Sequence, residues 1–361
     1  MIAFISDLHL GNIYANKKET EEHSYNALAK IEEKLLEYQP DLVLVGGDIF
    51  DKNKVSGKEI GVFIDFINKM NKNNIGVVSI SGNHDGKYWL KESFDHAIPY
   101  ILYKSGINPE NGYEYYSFAG IYLKNSRDWK TLSMIEDKYD ISIVGFSFYT
   151  KDRLPELYEY LSIIDREKSD YILLMHQSLK SLLPQDPAAI DLTIENYKYA
   201  LFGHMHMKYY KDKIIVTPPP YSISLKEANT EKGFWLIDKK PVFVPIEDSR
   251  PFIKMAIDLD NPIEIKPNKN AILILDVYYR ESQIDKLNLL KKTLSENFLY
   301  VKINPILKET SKIIVKKSEN KEEIFKKYLK EDYDFFMELY EKFRDIKDPE
   351  TIVQYLEFFY R

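Results

Sequence analysis

Over the first 240 positions, short apolar runs that end abruptly in polar residues alternate with longer stretches whose apolar residues recur every three or four places. Ile2–Ser6 is a run of the first kind and predicts a buried strand. Glu22–Tyr38 is of the second kind, with Leu28, Ile31, Leu35 and Leu36 on one helical face. The alternation repeats as a strand at Asp41–Gly46, a helix at Ile60–Met70 and a strand at Gly76–Ser81. This βαβαβ order predicts a sheet core covered by helices. Further runs at Ile141–Phe148, Tyr171–Met175, Tyr199–Phe202 and Ile214–Val216 add strands. The fold class is α/β, a two-sheet sandwich flanked by helices, with strand order left open.

The pattern changes around Pro241–Pro251. Beyond it, strands are expected at Ile253–Leu259, Ala271–Tyr278 and Tyr300–Ile303, with a helix at Ser282–Leu294, making a small α+β unit over residues 251–315. Residues 319–361 read as helix, first with Ile324, Phe325, Tyr328, Leu329, Phe336, Leu339, Tyr340 and Phe343. A second helix is expected after Pro349, which suits a first helical turn.

Composition narrows the chemistry. The chain has 361 residues, 44% hydrophobic and 29% charged, with a net charge of −6, so the molecule as a whole is not a cationic nucleic-acid binder. It has no cysteine, which excludes disulfides and thiolate metal sites; any metal must sit on His, Asp, Glu or Asn. The start, Met1-Ile2-Ala3-Phe4-Ile5-Ser6-Asp7, lacks the pattern of a signal peptide, and no apolar stretch is long enough for a spanning helix. A soluble cytoplasmic protein is expected.

The polar ends of the strands carry the chemistry. They read Asp7-Leu8-His9, Gly47-Asp48, Gly82-Asn83-His84-Asp85, Met175-His176-Gln177 and Gly203-His204-Met205-His206. Ligand sites of open α/β sheets lie beyond the carboxyl ends of strands. Singly, each fragment has a plain structural reading, as a turn or a hydrogen-bonded core histidine. Together they offer seven candidate metal ligands, Asp7, His9, Asp48, Asn83, His176, His204 and His206. All are oxygen or imidazole donors suited to a divalent transition metal. Seven donors exceed the needs of one tetrahedral ion and suit two ions sharing a carboxylate, an arrangement that can clamp a phosphate through its displacement. His84 is then free to stabilise or protonate a leaving oxygen.

The ordered set resembles the signature of the calcineurin-like metallophosphoesterase superfamily, D-x-H, G-D, G-N-H-[DE], H and G-H-x-H, over residues 1–240. The resemblance implies one metal on Asp7, His9, Asp48 and His206, and a second on Asp48, Asn83, His176 and His204, with Asp48 bridging. It implies that His84 contacts the scissile phosphate. Asp85 is expected to orient His84 or a neighbouring ligand.

Later residues point to one branch. Thr217-Pro218-Pro219-Pro220-Tyr221-Ser222 followed by Glu231-Lys232-Gly233-Phe234 resembles a passage of the SbcD or Mre-eleven type break-repair nucleases, with Pro-Pro-Tyr in place of the usual Pro-Gly. That resemblance implies two manganese ions, a DNA substrate, a homodimer, a DNA-capping role for 251–315 and docking of 319–361 on a coiled-coil ABC-type ATPase of the SbcC or Rad-fifty type. Asp51 stands where the branch often has a second histidine associated with exonuclease activity, so Asp51 is expected to orient a ligand or a water instead. Two other readings are a phosphoesterase acting on a small or nucleotide phosphodiester, and a DNA-tethering structural subunit. The full donor set argues against the last.

Overall fold

The computed structural model describes residues 1–86, 96–105, 115–118, 127–167 and 170–308. In chain order its main elements are β1 (Ile2–Ile5), α1 (Glu22–Tyr38), β2 (Leu42–Val45), α2 (Gly57–Lys72), β3 (Gly76–Ser79), α3 (Ile98–Lys104) and β4 (Tyr115–Ser117). They continue with α4 (Arg127–Tyr139), β5 (Ile143–Phe146), α5 (Leu154–Glu167), β6 (Tyr171–Met175), β7 (Tyr197–Phe202), β8 (Tyr209–Lys211) and β9 (Ile214–Val216). The last are β10 (Lys232–Ile237), β11 (Pro241–Ile246), β12 (Phe252–Asp258), β13 (Asn268–Tyr279), α6 (Ile284–Asn297) and β14 (Phe298–Leu307).

Two sheets form the sandwich, in strand order β11-β10-β1-β2-β3-β4 and β5-β6-β7-β9-β8. Strands β1 to β4 run parallel, as do β5, β6, β7 and β9. All the ligand-bearing turns therefore emerge at carboxyl ends of parallel strands. Alternation along each strand builds two cores. Phe4, Leu42, Leu44, Val78 and Ile80 face the second sheet and join Val144, Phe146, Leu174 and Phe202. Ala3, Ile5, Val43, Val45 and Val77 face the other way, onto Leu28, Ile31 and Leu35 of α1 and Phe63, Phe66 and Met70 of α2. Burial on both faces explains why these strands read as unbroken apolar runs. Helix α2 starts with a capping box between Ser56 and Glu59.

The passage where the pattern changes begins with a strand. β11 pairs antiparallel with β10 from Pro241 to Ile246 and forms the rim of the first sheet. Prolines 241 and 245 are tolerated there because an edge strand has one unpaired side. Beyond Arg250, β12, β13 and β14 form a separate three-stranded sheet, β12 and β13 being parallel, with its own core of Ile257, Leu273, Leu275, Val277, Leu294 and Phe298. The expected helices of 319–361 lie outside the described residues. Among the described residues no helix is long and apolar enough to cross a membrane.

Candidate metal centre

The backbone makes the site before any side chain does. Past β1 and β2 the two chains stay laddered, with the N–H of Asp7 donating to Gly47 O at 3.0 Å and that of His9 to Asp48 O at 3.0 Å. Asp7 (φ 56°), His9 (φ 40°), Asp48 (φ 47°), His204 (φ 72°) and His206 (φ 51°) all adopt the left-handed conformation. Non-glycine residues rarely do so, and such strain gathers at functional sites. Here it turns the ends of β1, β2 and β7 sharply, so that alternate side chains reach one rim.

Glycines let the turns interlock. A Cβ on Gly82 would run into the Asp48 carboxylate and backbone, and one on Gly203 would run into Ser6 Oγ and Gly46 O. Gly47 combines φ 92° with a contact that would bring a Cβ to 2.6 Å from His176 Nδ1. Gly82 thus serves close approach, the first part of the Gly-Asn-His-Asp stretch.

On this frame Asp7, His9, Asp48 and His206 converge, as do Asp48, His176 and His204. Asn83 joins the second group, its Oδ1 lying 3.2 Å from His176 Nε2. Asp48 is common to both. Its Oδ2 lies 3.2 Å from His176 Nε2 and 3.6 Å from His9 Nε2, while its Oδ1 accepts the His84 N–H at 2.8 Å. His84 stands beside His9, ring centroids 4.8 Å apart, and its Nδ1 is anchored 2.6 Å from Asp51 O.

One ring nitrogen of each of His176, His206 and His204 has an acceptor. His176 Nδ1 donates to Gly46 O at 2.7 Å, His206 Nδ1 to Glu227 Oε1 at 3.1 Å, and His204 Nε2 lies 3.3 Å from Asp186 Oδ2. In His176 and His206 this fixes the proton on Nδ1 and aims the Nε2 lone pair inward, toward Asp48 and Asp7. A ring nitrogen facing a carboxylate oxygen needs a proton or a metal ion between them. The charge environment shows the same pull. Burial disfavours the imidazolium, yet Asp48 and Asp7 hold His176 up at about 9; against the same burial, Asp7 and Glu227 hold His206 up at about 10. Burial likewise works against the Asp48 carboxylate, but His176 and His9 keep it well below the usual range. Both nitrogens of the buried His9 have no hydrogen-bond partner among the described residues, an expensive state that metal ligation relieves. The donor set, all imidazole, carboxylate and amide oxygen, fits a divalent metal.

Two supports were not visible beforehand. Glu227 lies in the loop before β10 and takes His206 Nδ1–H, the Ile223 N–H and Lys232 Nζ at 2.9 Å. Burial opposes its charge, but His206 and Lys232 hold its carboxyl down at about 2. The lysine of Glu231-Lys232-Gly233-Phe234 is therefore a buried counter-ion for a ligand's support, although the motif alone revealed nothing of that role. Asp186 supports His204 from a loop with no motif. Asp85's carboxylate accepts the N–H groups of Phe50, Ile49 and Gly82 at 2.9, 3.2 and 2.8 Å. It clamps the Asp48 loop, and burial with Asp48 nearby pushes its carboxyl up to about 7. Asp51 faces His9, with its Oδ1 3.6 Å from Nδ1.

Comparisons with known proteins agree with this geometry. Residues 1–208 match the family model of the calcineurin-like phosphoesterases. The chain is 25% identical over 249 residues to the DNA double-strand break repair protein Mre11 of Methanocaldococcus jannaschii, covering 66% of this chain and 62% of the relative, so it spans less than two thirds of that protein. It is 24% identical to the Mre11 of Methanococcus maripaludis over 98% of both chains. To the SbcD component of the nuclease SbcCD from Staphylococcus epidermidis it is 24% identical, over 74% of this chain and 76% of the relative. With the strand-end donors, the shared Asp48 and a family match across more than half its length, this chain belongs to the calcineurin-like phosphoesterases and is a metal-dependent hydrolase of that family.

Proposed function

We propose that the protein is a two-metal DNA nuclease, using manganese, that processes double-strand breaks as the catalytic subunit of a complex with a coiled-coil ABC-type ATPase. The observation that carries this is the pair of donor groups meeting at Asp48, with His84 set beside them on the same rim. Relatives whose names specify break repair or SbcCD nuclease supply the substrate class. In this reading Asp7, His9, Asp48 and His206 hold one ion, and Asp48, Asn83, His176 and His204 the other. The bound ions supply Lewis acidity and a lowered water pKa.

The chain's own residues do the rest. Gly46 O and Glu227 keep the protons of His176 and His206 on Nδ1, so both present basic Nε2 atoms. Asp85 fixes the loop that carries the shared carboxylate. His84, tethered to Asp51 O through Nδ1, offers Nε2 to a phosphate oxygen and, when protonated, a proton to the leaving oxygen. The sheet of β12, β13 and β14 serves as a DNA cap, residues 319–361 as the ATPase-docking segment, and α1 or α2 as the dimer contact, in the cytoplasm.

A manganese-dependent assay on plasmid and end-labelled duplex DNA, with and without the co-expressed ATPase, tests the proposal. His84→Ser should abolish cleavage while two manganese equivalents still bind. Undiminished cleavage by that variant would remove the role given to His84. Turnover of bis-nitrophenyl phosphate with no action on DNA would replace the substrate with a small diester.

A further inference from the structure

We propose that Arg250 and Asn12 act with Asp51 as a positioning relay for His9, tying the start of β12 to one of the two metal groups. The inference rests on the metal-binding reading above.

Arg250 is fully buried, two residues before β12. A buried guanidinium is costly without partners, and among the described residues this one forms no ion pair. It is held by hydrogen bonds and ring faces. Its Nε donates to Ser222 O at 3.0 Å, its Nη2 to Asn12 Oδ1 at 2.5 Å, and it lies 4.9 Å from the Tyr221 ring centroid and 5.6 Å from that of Tyr14.

The consequence lies in Asn12. A guanidinium has only donors, so it dictates which end of the Asn12 amide it meets. With the amide oxygen committed to Arg250, the amide nitrogen must face Asp51, and Nδ2 donates to Asp51 Oδ1 at 2.6 Å. That same carboxylate oxygen lies 3.6 Å from His9 Nδ1. Asp51 is thereby directed at the outer nitrogen of His9, which leaves Nε2 for the side of Asp48. A second route reaches the His9 backbone, because Tyr221, beneath Arg250, donates its hydroxyl to His9 O at 2.9 Å.

The cap-side connection is aromatic. Tyr14 meets Phe252 of β12 at 5.1 Å and Tyr300 of β14 at 5.9 Å between ring centroids. A displacement of the three-stranded sheet that moves Arg250 would therefore act on His9 through both routes. His176 has no such route, since its outer nitrogen ends on the backbone at Gly46.

The test is manganese binding by the full chain, followed by electron paramagnetic resonance of the free ion. Asn12→Asp retains the acceptor for Arg250 but removes the donor to Asp51 and sets two carboxylates together. It should weaken one manganese equivalent at least about tenfold and leave the other unchanged. A merely structural role would instead weaken both equivalents together. Arg250→Gln, which releases the Asn12 amide to flip, should weaken the same equivalent and provides a second route if Asn12→Asp does not fold. Folded variants that bind both equivalents like the parent, or that lose both together, would overturn the relay. A parent that binds no manganese would instead overturn the metal reading beneath it.

Discussion

The two groups of donors share Asp48 but are held in place by different means. The group of Asp7, His9, Asp48 and His206 is braced by side chains drawn from far along the chain: Glu227 and Lys232 behind His206, Asp51, Asn12 and Arg250 behind His9. The group of Asp48, Asn83, His176 and His204 is braced chiefly by main chain, with Gly46 O behind His176 and the packed glycines 47, 82 and 203 around it. The first group depends on buried charge and on the chain beyond β9. The second is set by the strand ends themselves. One position should therefore respond to distant changes that the other ignores.

The largest effect should appear in chelator-treated protein and involve both groups. His176, held up at about 9, and His206, held up at about 10, contribute stability that is complete below about pH 6.5, their unfolded value. It should be lost as pH rises toward 9 and 10, at roughly 1 kcal/mol per pH unit for each histidine. Manganese should remove most of that slope in urea unfolding, and a slope indifferent to manganese would separate the histidines from the metal.

Breaking one side comes next. Lys232→Met leaves Glu227 buried without its lysine and should cost about 3 kcal/mol in denaturant unfolding. It should also weaken one manganese equivalent only; equal weakening of both would erase the contrast. On the other side, Gly203→Ala should cost about 2 kcal/mol through overpacking against Ser6 and Gly46, and should loosen the equivalent held by His176 and His204. The smallest effect is expected for Asp186→Asn. Asp186 sits partly exposed beside His204, and His204 holds its carboxyl below the usual range. The neutral amide can still accept a hydrogen bond, so stability should fall by under about 1 kcal/mol and metal affinity only modestly.

The same contrast explains what could be read from the chain alone. Strand ends with Asp and His were legible because the apolar run and its polar end are adjacent in sequence; Tyr171–Met175 and Glu22–Tyr38 have the bounds that the pattern predicts. Glu227 and Asp186 were not, because a loop carboxylate becomes a support only when the fold brings a histidine to it. Gly46's role was invisible for a different reason, since every residue has a carbonyl. β11 does not stand out in the sequence, because the effect of a proline on a strand depends on whether that strand is central or at an edge.

The left-handed turns at Asp7, His9, Asp48, His204 and His206 have a consequence for anyone selecting variants of this protein. Each costs roughly 1 kcal/mol relative to a glycine in the same place. Near the rim, at His204 and His206, glycine would relax the backbone while removing a metal donor. A screen for heat resistance alone should therefore accumulate changes at these turns and return a sturdier, inert scaffold. Stability and hydrolysis must be selected together in this fold, because the residues that strain it are the ones proposed to hold the metal.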